Sequence, residues 1–182
     1  TYGKIISVTR QAIVNDDLSA FDRLPVMMGG ACREKEASAL VSVLTTNANL
    51  RDGGALFNST AVSTPGGHAN LSTGTGSALS ATSLAVAVKS MRLQRGLDLV
   101  TPINIEPIYL IVPAALEYTA LQLVAMINPT STTSVNPYAG KLTVVVDPRL
   151  HSASGGTTAW YLSAGAAAAA GRSGLAGASA NS

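Results

Sequence analysis

Polar and apolar positions alternate from Gly3 to Val14: Ile6, Val8, Ala12 and Val14 share one side, with Arg10 among them, while Ser7, Thr9 and Gln11 share the other. A period of two with β-branched residues predicts a half-buried strand. Asn15, Asp16 and Asp17 follow without a spacer. Their side-chain oxygens suit the unpaired amides of a helix start, and their charge suits its dipole.

A helix is predicted next, with Leu18 and Phe21 on one side and a kink or restart at Pro25. From Val26 to Asn47 the positions Met28, Cys32, Ala39, Leu40, Val43 and Leu44 fit a helical stripe, with Arg33, Glu34, Lys35 and Glu36 between them. Gly29 and Gly30 weaken that helix by ~1 kcal/mol each relative to alanine. A continuous segment of about 30 residues would span roughly 45 Å, which suits a structural spine.

Residues 48–79 are rich in Gly, Ser, Thr and Asn and predict a long loop, anchored by its bulky pair Leu56 and Phe57. A second helix is expected over Ser80–Arg95, capped by Ser80, buried along Leu84, Ala87, Val88 and Met91, and stopped by Gly96. Ile108–Val112 has the apolar run of a strand buried on both faces. Pro113 opens a third helix, with Leu116, Ala120, Leu123 and Ile127 toward the sheet and Asn128-Pro129 at its end. Leu142–Asp147, closed by Pro148, predicts a second buried strand, and Ala159–Leu162 a short final one. The remaining tail, 164–182, is nearly all Ala, Gly and Ser and builds no core.

Composition narrows the classes of function. The chain is 47% hydrophobic and only 12% charged, against about 25% charged in ordinary globular proteins. So little charge favours burial of surface against other subunits. A net charge of +2 and 4% aromatic residues argue against a nucleic-acid reader. The single Cys32 excludes an internal disulfide framework and a cysteine metal cluster, and is expected to be a small buried apolar residue on its helix. No segment has the length and apolarity of a membrane span. The start Thr1-Tyr-Gly-Lys4 has neither an apolar signal region nor an initiator Met, which reads as a processed or trimmed piece of a longer product.

Candidate chemistry is sparse. His68 and His151 stand 83 positions apart in Gly/Ser-rich loops, with no Cys or carboxylate pairing in the sequence to make a metal site or a triad. His68 is read as a loop residue making a local hydrogen bond. Gly74-Thr-Gly76 is too short for a dinucleotide loop, and Gly140-Lys141 is followed by Leu142, so it is no phosphate loop. Asp16 and Asp17 are caps, not a catalytic pair, and Lys4 and Arg10 are solvated or interface ion-pair residues. Asn58-Ser-Thr60 and Asn70-Leu-Ser72 match the glycosylation pattern formally, as chance matches in a polar loop. No catalytic, cofactor-binding or metal residue is assigned, no cofactor is expected, and an enzyme is disfavoured.

Five segments in order carry a resemblance. Thr1-Tyr-Gly-Lys4…Arg10-Gln-Ala-Ile-Val-Asn-Asp-Asp-Leu18…Phe21-Asp-Arg-Leu-Pro25…Met28-Gly29 is similar to the Mu-like major head subunit (major capsid protein) family of tailed phages. Ala55-Leu-Phe57 with His68-Ala-Asn70-Leu71, then Leu79-Ser80…Met91-Arg92-x-Gln94-x-Gly96, follow in the family's order. So do Tyr109-Leu-Ile-Val-Pro113-Ala-x-Leu116-Glu117, and Leu142…Val146-Asp-Pro-Arg-Leu150 with Ala159-Trp-Tyr-Leu162.

The resemblance implies an α+β chain with the Hong Kong 97-type capsid fold: a peripheral domain with a long spine helix and an axial domain with a sheet flanked by helices. Residues 1–48 would be peripheral, 49–76 a connecting loop, 77–163 axial and 164–182 the tail. The implied function is a self-assembling icosahedral shell around phage double-stranded DNA. The partners would be other copies in pentamers and hexamers, with scaffold, portal or decoration proteins and non-specifically held DNA, but no membrane. The place would be the virion, after assembly in the host bacterial cytoplasm. Against the family pattern the N-terminal arm, most of the extended loop and the return to the peripheral domain are missing. The competing expectations are a cellular compartment shell of the same fold enclosing protein cargo and, remotely, a hydrolase built on a Ser, His68 and an Asp.

Overall fold

The computed structural model describes residues 20–96, 98–125, 137–153 and 156–165, with isolated positions among residues 5–11. Two compact units divide at Ser42/Val43. The first contains most of helix α1, Ala20–Thr46. Pro25 sits inside this helix, so the expected restart is replaced by one helix that runs through it. The proline removes one backbone hydrogen bond. The strong helix formers that follow, Met27, Met28, Ala31 and the run Arg33–Leu40, carry the helix on for ~40 Å. Upstream, Ile5, Ser7 and Thr9 have no regular structure, and Arg10 and Gln11 are helical. The strand expected over 3–14 therefore does not reach its predicted end. Its other residues and the caps Asn15–Asp17 lie outside the described residues.

The second unit is an α+β core. Helix α2, Ala81–Arg92, begins with a reciprocal cap: the Ser83 amide donates to Ser80 Oγ at 3.2 Å, and the Ser80 amide donates to Ser83 Oγ at 2.9 Å. Leu84, Ala87, Val88 and Met91 are all buried, as the helical period predicts. Gly96 is not the stop. The helix ends at Arg92, and Gly96 instead donates to Thr101 O in a tight turn bridged by Arg95 and Pro102.

Three strands form one sheet in the order β2-β1-β3: β1 is Pro107–Val112, β2 Thr143–Val146 and β3 Tyr161–Ala164. β1 runs parallel to β2, with Leu110 opposite Val144, and antiparallel to β3, with Leu110 opposite Leu162. A parallel neighbour requires a crossover. It leaves β1 through Pro113, the 3-10 turn Ala114–Leu116 and helix α3, Glu117–Val124. Pro113 is the cap of that turn, one position before the predicted first turn. The helix ends at Val124, short of Asn128-Pro129, which together with Ile127 lies outside the described residues. The polar loop expected after them is described only from Pro137. A four-residue helix α4, Pro148–His151, is capped by Asp147 and follows β2.

Leu110, Val112, Leu162 and Trp160 pack with Leu84, Met91 and Ala120 in one core, with Leu116, Leu123, Val144 and Val146 partly buried against it. A fully buried leucine of this kind contributes about 1.5–3 kcal/mol. The expectations that β1 is buried on both faces and that β2 is a second buried strand are corrected. Ile108 and Tyr109 are exposed on β1, and Val145 is exposed on β2, which lies at the end of the sheet order. From Tyr109 onward the burial alternates as in a one-sided sheet, disguised because both faces carry apolar residues, while Ile108 is exposed where the pairing with β3 shifts register. The tail 166–182 lies outside the described residues.

Candidate functional site

The loop from Asn47 to Ser77 is built from asparagines. Asn47 holds φ 48°, a left-handed conformation that asparagine tolerates better than most residues. Its Nδ2 donates to Phe57 O at 3.0 Å, and its Oδ1 accepts from the Phe57 amide at 2.6 Å. Asn58 uses its whole amide: Nδ2 donates to Ala55 O and Gly66 O, and Oδ1 accepts from the amides of Thr60 and His68. Asn70 Oδ1 accepts from the Asn58 amide, and its Nδ2 donates to Leu56 O. Both formal glycosylation sites therefore spend their amides internally, and Asn70 is buried.

Leu56 and Phe57 are buried, as anchors should be. Phe57 meets Tyr161 of β3 with ring centroids 5.5 Å apart. Burial of that tyrosine pushes its hydroxyl pKa up. At the far end of the loop Trp160 donates its indole N–H to Ser77 O at 2.9 Å. The aromatic pair Trp160-Tyr161 thus ties the loop to the core at Phe57 and at Ser77, a role that sequence reading missed. The only sequence signal was adjacency of two large aromatics in a chain that has few.

The loop also brings together a pair that the sequence does not show. His68 Nε2 lies 2.9 Å from Asp52 Oδ2, and Nδ1 lies 2.8 Å from Ala55 O and 3.1 Å from Asn58 Nδ2. The expectation that His68 lacks a carboxylate partner is corrected, because a tight fold of sixteen residues closes the gap. His68 does make the local hydrogen bonds assigned to it. Among the described residues no serine hydroxyl is bonded to the ring, and both ring nitrogens are already engaged by Asp52, Ala55 and Asn58. A nucleophile–base pair needs a hydroxyl at one of them. His151 is exposed at the end of α4, with no place in this network. No cluster of three metal-ligating side chains occurs among the described residues, and no helix there is long and apolar enough to cross a membrane.

What the described surface offers is apolar area. On α1, Val26 is 75% exposed, Leu40 66% and Val43 58%. Cys32 is exposed too, against the expectation of burial, because it shares a helix face with Met28, Ala39 and Val43 that is left largely open. On the second unit Val100, Tyr118 and Leu121 are exposed. Exposed apolar residues mark a contact surface only where they form a contiguous patch, and on α1 Met28, Cys32, Ala39 and Val43 share one face. The groove between Asn70-Leu71, Val86 and Met91 of α2, and Gln94 just beyond that helix carries no convergent charge.

Loop, sheet and helices thus define a class: an α+β subunit whose described surface is suited to packing and presents no assembled reaction centre. The chain matches the family model described as phage capsid protein over residues 1–180, and it belongs to that family. No curated protein and no solved structure matched the chain. Membership makes it a bacteriophage capsid protein, a structural role whose partners are copies of itself in a shell and whose place is the virion.

Proposed function

We propose that the chain is the major head subunit of a Mu-like tailed phage, with the Hong Kong 97-type fold. In this reading it self-assembles through pentamers and hexamers into an icosahedral shell enclosing double-stranded DNA. The observation that carries the reading is the capsid-family match over residues 1–180. The long helix α1 with its exposed apolar residues supports a spine role, and the three-stranded sheet with α2 and α3 in its core supports an axial role. Residues 1–48 are then peripheral, 49–76 connecting, 77–163 axial and 164–182 a tail. Scaffold, portal and decoration proteins are the further partners, and assembly takes place in the host cytoplasm. Contact with DNA is electrostatic, to phosphates and without base reading, so it weakens with salt.

Electron microscopy and nuclease-protected nucleic acid recovered from purified particles test the reading together. Closed shells holding double-stranded DNA are expected from infected cells. Persistent monomers under every condition sink the shell, and shells that hold protein cargo without DNA turn the reading into a cellular compartment.

A further inference from the structure

The ring of His68 meets an acceptor at each nitrogen. Nδ1 is 2.8 Å from the carbonyl oxygen of Ala55, and Nε2 is 2.9 Å from the carboxylate oxygen of Asp52. A neutral imidazole has one N–H and one lone pair, and only the imidazolium donates from both nitrogens. The Asn58 amide nitrogen lies 3.1 Å from Nδ1, 2.9 Å from Ala55 O and 3.0 Å from Gly66 O. Were Nδ1 bare, the two hydrogens of that amide would have to serve three acceptors and one would go short. Around the ring the loop is shut by short contacts: the His68 amide donates to Asn58 Oδ1, and Gln94, two residues past α2, donates to His68 O.

We propose that His68 is a proton-dependent clasp, closing the loop 52–70 when both ring nitrogens carry hydrogen and loosening it when either is lost. Loss from Nδ1 leaves a lone pair facing the Ala55 carbonyl. Loss from Nε2 leaves one facing the Asp52 carboxylate. Each turns an attraction into a repulsion at under 3 Å. Asp52 is the one charged group shown against the ring among the described residues, and the segment after α2 contributes the neutral Gln94. The pair is accessible to solvent protons, with the His68 side chain 20% and the Asp52 side chain 45% exposed.

The His68 hydrogen bond, then the Gly54 amide, hold the Asp52 carboxyl below its ordinary 3.8. A depressed carboxyl contributes stability above its unfolded value and loses it as pH falls through the folded one. The acid limit of the clasp therefore belongs to Asp52. The other limit belongs to the imidazole, since loss of hydrogen from either ring nitrogen opens the clasp. The clasp does not depend on the shell reading, since it uses contacts within one chain.

Amide hydrogen exchange by mass spectrometry on the full chain tests it, with rates corrected for intrinsic exchange. Protection of the segment 52–70 should fall several-fold between pH 5.5 and pH 8, while α2 stays level. His68→Gln and Asp52→Asn should each flatten that profile. The ring-nitrogen NMR signals of the wild type should show hydrogen on both nitrogens at pH 5.5. Protection that is flat or rises with pH in the wild type overturns the clasp, as does a bare ring nitrogen at pH 5.5. Should either variant misfold, the wild-type profile and the ring signals decide alone.

Discussion

The indole N–H of Trp160 reaches the backbone carbonyl of Ser77 at 2.9 Å across 83 positions of sequence, and both residues are buried. The contact ties the strand that ends the described fold to the loop that precedes α2. Trp160→Phe removes the donor of this buried hydrogen bond, at a cost of about 1 kcal/mol. Urea unfolding followed by circular dichroism should show the midpoint falling with an unchanged slope. An unmoved midpoint would mean that the bond contributes nothing net.

The asparagine lattice predicts a sharper effect from an isosteric change. Asn58→Asp replaces the Nδ2 donor with an acceptor facing Ala55 O and Gly66 O. Two attractive contacts become repulsive in a part-buried site, so the loss should exceed the ~1 kcal/mol of one ordinary hydrogen bond. Asn58→Ala, which only deletes contacts, should be the milder variant. Thermal unfolding of the two side by side checks the order, and the reverse order refutes this account of the loop.

Gly54 is required by close approach, not by its dihedral angles. A Cβ placed there would stand 2.0 Å from Gly66 O. Gly54→Ala must push two backbone segments apart beside the Asp52–His68 pair, at a cost of about 1–3 kcal/mol. Gly76, where an added Cβ meets nothing, is the control. Gly54→Ala should lower the melting temperature by several degrees and Gly76→Ala should leave it nearly in place. Equal effects would remove the steric argument.

These loop contacts mark the limit of what the sequence discloses. Leu84, Ala87, Val88 and Met91 were legible because a helix with one buried face repeats its apolar residues at 3.6. The anchors Leu56 and Phe57 were legible because they are bulky residues in a polar stretch. The Asp52–His68 pair was not, since a loop follows no period and its pairings depend on which backbone turns close. Cys32 was misread because an apolar helix stripe has the same period whether or not the chain's own core covers it. Ile108 and Tyr109 were misjudged for a similar reason: an apolar run gives no period that tells a covered face of a strand from an open one.

The turn after α2 gives a prediction in acid. The Asp98 carboxyl is held below its ordinary 3.8, first by the Thr101 hydroxyl and then by the amides of Thr101 and Val100. As with any depressed carboxyl, its contribution is present above the unfolded value and disappears as pH falls through the folded one. Local amide protection over 98–102 should therefore decline as pH drops below about 3.8. Asp98→Asn should be weaker at neutral pH and insensitive to that drop. Equal acid sensitivity in the variant would assign the decline to another group.

Exposure on α1 separates folding from assembly. Met28 and Val43 are 45% and 58% exposed, so a charge at either displaces little from the chain's own core. Changes at exposed positions usually stay within about 0.5 kcal/mol of the parent stability. A charge buried against a second subunit without a partner is far costlier. Met28→Glu and Val43→Glu should therefore unfold at nearly the parent temperature yet fail to form particles, as read by size-exclusion chromatography with light scattering. Tyr118→Glu on α3 asks the same of the second unit, where Tyr118 is 73% exposed. Particles of normal size from the α1 variants would show that this face meets no neighbour in the shell. Unfolded variants would show that the face is buried within the chain's own fold.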